Sequence, residues 1–143
     1  MTQVSDVMTR EVRTLPPTET VLKAAQAMKE LDVGVIPVCD GEDLVGMVTD
    51  RDIVLRGVAE DCIAHDTPLS KVMTQEAFWC FEDQSVDEAA QAMRDAQVRR
   101  MPVVDRQNHL VGMLSLGDVA TKADEQQAGE ALESISEPSR PAR

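Results

Sequence analysis

The sequence predicts an α/β (α+β) fold in which a β-α-β-β-α unit occurs twice and the two copies pack sheet to sheet with pseudo-twofold symmetry. Three observations lead there. The stretch Ser5 to Asp43 matches Ser70 to Asn108 at a constant step of 65 residues, and a period this long, present only twice, argues for paired half-domains rather than a solenoid. Within each copy, a helical spacing of apolar residues alternates with short apolar runs bounded by turn residues. The chain is 43% hydrophobic but only 2% aromatic, so its cores are aliphatic, drawn from Val, Leu, Ile, Ala and eight Met.

The repeat can be followed residue by residue. Ser5-x-Val7-Met8-Thr9-x-Glu11 returns as Ser70-x-Val72-Met73-Thr74-x-Glu76, and Val21-x-x-Ala24-Ala25-Gln26-Ala27-Met28 as Val86-x-x-Ala89-Ala90-Gln91-Ala92-Met93. Val33-x-x-x-Pro37-Val38-x-Asp40 returns as Val98-x-x-x-Pro102-Val103-x-Asp105, and Leu44-Val45-Gly46-Met47 as Leu110-Val111-Gly112-Met113 with one residue inserted. The insertion falls where Asp40-Gly41-Glu42-Asp43 faces Asp105-Arg106-Gln107-Asn108-His109, a turn by composition.

Taken in order, copy one begins with a short strand at Glu11 to Leu15, ended by Pro16-Pro17. Thr20 caps a helix to about Leu31, whose residues Val21, Ala24, Ala25, Met28 and Leu31 share one face. Val35 to Cys39 and Leu44 to Val48 form a hairpin across the Asp-Gly turn, and a second helix runs from Thr49 to about Arg56, before Gly57. In copy two, Ser85 caps a helix at Val86 to Ala96, Met101 to Val104 and Leu110 to Leu114 form the hairpin, and Ser115 opens a helix to about Lys122. The domains are then 1–60 and 61–122, with 123–143 a frayed helix end and a mobile acidic tail. A half of roughly 60 residues with one open sheet face buries too little surface alone, so the halves are expected to pair and to leave clefts suited to small ligands.

Charge narrows the function classes. Fourteen Lys and Arg against twenty-six Asp and Glu give a net charge of −12, which repels nucleic acid and anionic membrane surfaces. No apolar run approaches the roughly 18 residues of a membrane span, no signal segment is visible, and the cysteines are three, Cys39, Cys62 and Cys80; the expected location is a reducing cytoplasm. Cys62-x-x-His65 has a metal-like spacing but lacks a full tetrahedral set, and no metal site is expected. Neither a P-loop, a paired catalytic carboxylate arrangement nor a dinucleotide glycine fingerprint is present, and no enzyme is read.

The informative string is Gly46-Met47-Val48-Thr49-Asp50-Arg51-Asp52, mirrored by Gly112-Met113-Leu114-Ser115-Leu116-Gly117-Asp118. An apolar strand ends at a hydroxyl residue that opens a helix, with a carboxylate three positions on. That spacing is a capping box, contributing about 1 kcal/mol or more. It is equally a helix start suited to an anion, with Asp52 or Asp118 free to accept from a pair of sugar hydroxyls.

The series Val7-Met8-Thr9, the Ala-Ala-Gln-Ala-Met helix, Ile36-Pro37-Val38-x-Asp40 and Leu44-Val45-Gly46-Met47-Val48-Thr49-x-Arg51-Asp52, present twice, resembles a CBS domain, the module named after cystathionine β-synthase. The resemblance covers about Val4 to Lys122 and extends to the short stand-alone bacterial proteins that carry a CBS pair. It implies a Bateman module whose clefts hold an adenosine-containing ligand such as AMP, ADP, ATP, NAD or S-adenosylmethionine, with AMP or ATP foremost, as a regulatory ligand rather than a required cofactor. By that resemblance the ribose goes to Asp52 and Asp118, with Thr49 and Ser115 near ribose and phosphate. The base goes to Thr14, Leu15, Val35, Ile36 and Pro37 in copy one, and to Trp79, Cys80, Arg100, Met101 and Pro102 in copy two. The resemblance also implies a homodimer and a separate effector protein as partner.

The copies differ where a phosphate would bind: Arg51 stands in the helix of copy one, whereas copy two has Gly117 there and Arg99-Arg100 in place of Gly34-Val35. These arginines are either phosphate partners or solvated surface charges. Trp79 either stacks on an adenine or plugs its cleft, which makes copy one the better candidate. The competing function is a ligand-free dimerisation or interaction module in which both strings are only capping boxes. A redox role for Cys39 is a third reading, although the residue ends an apolar strand and reads first as a buried small side chain.

Overall fold

The computed structural model describes residues 2–61, 63–75 and 78–122; Cys62 and the tail expected over 123–143 lie outside them. Along the chain the elements are α1 (Val4–Val7), α2 (Val21–Leu31), β1 (Val35–Asp40), β2 (Asp43–Thr49), α3 (Asp50–Asp52, continued by π-helical turns over Ile53–Val58), a 3-10 turn at Leu69–Lys71, β3 (Cys80–Phe81), α4 (Val86–Ala96), β4 (Arg100–Val104), β5 (Leu110–Ser115) and α5 (Leu116–Lys122). Mixed helix and sheet is therefore what the duplicated pattern produces.

The two long helices start and stop as local chemistry dictates. The Thr20 hydroxyl accepts from the N–H of Lys23 at 3.1 Å, and the Ser85 hydroxyl from that of Glu88 at 3.1 Å. Each then ends on a left-handed residue at the same place in the repeat, Asp32 (φ 55°) and Gln97 (φ 56°). The next amides, of Val33 and Val98, reach back to the carbonyls of Met28 and Met93 at 3.0 Å each, which satisfies helix-end acceptors in the Schellman manner. The hairpins form in the expected register, with Val35 opposite Thr49 and Arg100 opposite Ser115, and with an irregularity at Val38/Cys39 and again at Val103/Val104. Gly41 (φ 64°) and Asn108 (φ 66°) supply the left-handed residue in each turn.

Two expectations change. Glu11 to Leu15 is not a strand; Leu15 alone bridges Val38 in parallel, because Pro16 and Pro17 offer no N–H to lengthen the ladder. Copy two keeps a two-residue strand there, β3, paired with Val103 and Val104. The second helix of copy one also runs past Arg56 to Val58, its later turns widened so that the Ala59 amide reaches the Val54 carbonyl at 2.8 Å.

The compact units do not coincide with the sequence repeats. One unit is 13–77, and the other joins 1–12 to 78–143. The leader of copy one therefore packs with copy two: Val4 and Ser5 donate to the carbonyls of Gln84 and Glu82 at 2.9 and 3.0 Å, and the Val86 amide donates to the carbonyl of Thr2 at 2.9 Å. The leader of copy two packs with copy one in the same way, Leu69 and Ser70 donating to Glu19 and Pro17 at 2.8 and 3.1 Å. Val4, Val7 and Met8 share a buried cluster with Met93, Val103 and Leu114. Leu69, Val72 and Met73 share the other with Met28, Ile36 and Val48. Both cores are aliphatic, and Phe78 and Trp79 are exposed.

Close backbone approach fastens each leader. Thr74 and Met47 exchange amide-to-carbonyl bonds of 2.8 and 2.9 Å, as do Thr9 and Met113. A Cβ on Gly46 would stand 2.7 Å from the Thr74 carbonyl oxygen, and one on Gly112 2.7 Å from that of Thr9. Glycine is required at both positions by this contact.

Two stability outcomes follow from the packing. Gly46→Ala should cost about 1–3 kcal/mol in urea unfolding, whereas Gly117→Ala, whose Cβ would meet nothing closer than the Ser115 hydroxyl at 3.6 Å, should be neutral or stabilising by up to about 1 kcal/mol. Val7→Ala, losing about 2 kcal/mol of burial, should weaken native-state hydrogen-exchange protection in β4 and β5, and Val72→Ala in β1 and β2; the reverse assignment would show that the leaders pack on their own copies.

Candidate functional site

The hydroxyl–carboxylate pair at each second helix forms as the spacing requires. The Thr49 hydroxyl accepts from the Asp52 amide at 2.9 Å while Asp52 Oδ2 accepts from the Thr49 amide at 3.0 Å. In copy two the Ser115 hydroxyl accepts from the Asp118 amide at 3.1 Å, and Asp118 Oδ2 from the Ser115 amide at 3.2 Å. Both strings are closed capping boxes.

Neighbouring backbone brings most of the other sequence-selected residues to the same sheet end. The Asp50 amide donates to the Gly34 carbonyl at 3.0 Å, which sets Val35 beside Thr49. Leu15 donates to Pro37 at 3.3 Å, so Thr14 and Leu15 border Ile36 and Pro37. In copy two the Leu116 amide donates to the Arg99 carbonyl at 3.1 Å, setting Arg99 and Arg100 beside Ser115, while Cys80 pairs Val103 and places Trp79 just beyond the strand. Leu15, Ile36, Pro37, Cys80, Met101 and Pro102 are buried, so these positions offer a ligand backbone rather than side chain. Thr14, Val35, Thr49 and Ser115 are partly accessible, and Trp79 is 52% exposed.

Sequence reasoning missed two members of the cluster, Thr74 and Thr9. The Thr74 hydroxyl lies 3.2 and 3.3 Å from the Asp52 carboxylate oxygens, and the Thr9 hydroxyl 3.5 Å from Asp118 Oδ2. Their identity across the repeat was visible, but not the partner to which each belongs.

The electrostatics are those of a carboxylate with spare capacity beside arginine. A carboxylate offers about four acceptor positions; the Thr49 amide and the single Thr74 hydroxyl proton take two on Asp52, whose side chain stays 13% exposed. Arg56 stands with Nε 4.0 Å from Asp52 Oδ1 and donates to the Met73 carbonyl at 3.1 Å. Arg51, Arg99 and Arg100 are exposed, and none is paired with a carboxylate among the described residues. The arrangement can accept from a vicinal diol and attract an anion in the same turn.

Cys39 is buried and its thiol is pushed up by burial and, secondarily, by the charge of Asp43; burial alone pushes Cys80 up to about 12. Burial and a raised pKa both disfavour the thiolate at these positions. Among the described residues no three His, Cys, Asp or Glu side chains are grouped to hold a metal, and no helix is long and apolar enough to cross a membrane. A separate pocket of about 190 Å³ is lined by Gln3, Ser5, Phe81, Glu82, Asp83, Asp105 and Arg106. Its arginine is held by Asp83 at 2.7 and 3.0 Å and lies 4.0 Å over the Phe81 ring, so its field does not favour a phosphate.

The sequence profile of the CBS domain matches this chain twice, over residues 4–58 and 69–125. The CBS domain-containing protein YhcV of Bacillus subtilis is 44% identical over 137 residues, spanning 95% of this chain and 96% of the relative. Hypoxic Response Protein I, solved with two coordinated zinc ions, superposes with a TM-score of 0.77 at 35% identity over 84% of this chain and 98% of its own. CBSX2, solved in complex with AMP, superposes with a TM-score of 0.73 at 26% identity over 84% and 94%. The chain belongs to the CBS-domain family and carries the domain in two copies.

The raised thiols set a pH dependence. The unfolded Cys80 thiol ionises near its ordinary 9.0 and the folded one only near about 12, so its contribution to stability is complete below 9.0 and is lost as pH rises toward 12. Above about pH 9 stability should fall from this group by up to about 1.4 kcal/mol per pH unit, a slope that denaturant titrations should find removed in Cys80→Ala. In a Cys62→Ser background, native protein should react with a thiol reagent only on the timescale of unfolding.

Proposed function

We propose that this CBS-domain chain is a regulatory module that binds an adenosine-containing ligand at the helix start of each copy. The carrying observation is the Asp52 carboxylate, held by the Thr49 amide and the Thr74 hydroxyl with acceptor positions left over and the exposed Arg51 one residue away. A ribose diol needs two acceptors on one rigid group, and a following phosphate needs nearby positive charge on a chain of net charge −12. In this reading Asp52 and Asp118 take the ribose, with Thr49 and Ser115 alongside. Arg51 takes the phosphate in copy one, and Arg99 and Arg100 take it in copy two. The base lies against Thr14, Leu15 and Val35 to Pro37, or against Trp79, Cys80 and Arg100 to Pro102.

AMP and ATP are the foremost ligands, with ADP, NAD and S-adenosylmethionine sharing the adenosine group; the AMP complex of CBSX2 supports the class. The module works as a cytoplasmic homodimer whose arrangement shifts with ligand and is read by a separate effector protein. It performs no catalysis of its own. The second reading, a ligand-free interaction module, draws on the closed capping boxes, which satisfy the helix starts with no ligand at all.

Isothermal titration of nucleotide-free protein with AMP, ATP, NAD and S-adenosylmethionine separates the two readings. Saturable binding that Asp52→Ala and Asp118→Ala each reduce and the double variant loses, with a ligand-dependent rise in Tm that the double variant lacks, is the expected result. Flat traces for every ligand would establish the interaction module instead.

A further inference from the structure

We infer that Thr74 is a positioning residue for ribose recognition, fixing the Asp52 carboxylate in the orientation that receives the two sugar hydroxyls. The inference rests on the adenosine-ligand reading above and adds a residue from outside the hydroxyl–carboxylate string. Thr74 lies in the leader of copy two, yet its backbone is locked to Met47 on β2 by two bonds of 2.8 and 2.9 Å, and its carbonyl lies against Gly46. That anchorage fixes where the hydroxyl stands, 3.2 Å from Asp52 Oδ1 and 3.3 Å from Oδ2.

A carboxylate held by a single amide still turns about its terminal bond, and a diol must then bear the entropy of stopping it. With the Thr49 amide on Oδ2 and the Thr74 hydroxyl between the two oxygens, that rotation is already stopped. One hydroxyl proton occupies one acceptor position, so the clamp orients the group without filling it. Copy two has the matching anchorage: Thr9, locked to Met113 by bonds of 2.8 and 2.9 Å, brings its hydroxyl to 3.5 Å from Asp118 Oδ2 alone. The backbone anchorage thus recurs in copy two, whereas the contact with both carboxylate oxygens belongs to copy one.

The test is titration of an Asp118→Ala background, which isolates copy one, with AMP and with 2′,3′-dideoxy-AMP. Thr74→Val keeps the side-chain shape and every backbone bond of the anchorage, and a thermal melt run beside it verifies folding. The expected result is that Thr74→Val weakens AMP about two- to tenfold, the cost of ordering one side chain on binding, and leaves the dideoxy ligand unchanged, while Thr74→Ser restores AMP affinity. Equal loss for both ligands would make Thr74 merely structural, and no loss for either would remove its role; both results overturn the inference while AMP binding itself stands. If Asp52→Ala binds AMP as well as its parent, the ribose site itself is wrong and the role of Thr74 falls with it.

Discussion

Two threonine backbones, Thr9 and Thr74, lie so close to glycines on the last strand of a hairpin that no Cβ fits between them, and the rest of the structure is arranged around that approach. The contact exchanges two backbone hydrogen bonds on each side, satisfying polar groups that would otherwise be stranded beside a packed sheet. It holds Val7 and Met8 in one aliphatic core and Val72 and Met73 in the other. It also delivers a hydroxyl to a carboxylate at each helix start. Fold and candidate site therefore rest on one constraint.

The carboxylate itself serves two purposes. As a cap, Asp52 satisfies an amide that the helix leaves without a partner, a contribution of about 1 kcal/mol. As a candidate ligand group, it offers the lone pairs that the cap leaves unused. These roles are compatible because a capped carboxylate is already desolvated on one side and held still. A group that must be rigid for the fold is pre-organised for recognition.

The two copies share this frame and have diverged in its charge. In copy one the arginine stands on the helix, Arg51, and the strand side carries Gly34 and Val35; in copy two the helix carries Gly117 and the strand side carries Arg99 and Arg100. Thr14 in copy one corresponds to the exposed Trp79 in copy two. The same backbone thus presents positive charge from opposite edges of the two helix starts.

Local chemistry in the sequence determined the helices capped by Thr20 and Ser85, the two hairpins with their inserted turn residue, the aliphatic core and the capping boxes at Thr49 and Ser115. Each depends on spacings of a few residues, which a sequence displays directly. Glu11 to Leu15 forms only the Leu15 bridge rather than a strand, because Pro16 and Pro17 lack the amides that would extend it. Tertiary structure alone decided that residues 1–12 join 78–143 and that 13–77 close on themselves. The reason is physical: both copies offer nearly the same apolar face and the same glycine to leaders that share Ser-x-Val-Met-Thr-x-Glu, so periodicity carries no information about which face each takes. For that same reason Thr9 and Thr74 were legible as a repeat but not as partners of Asp118 and Asp52.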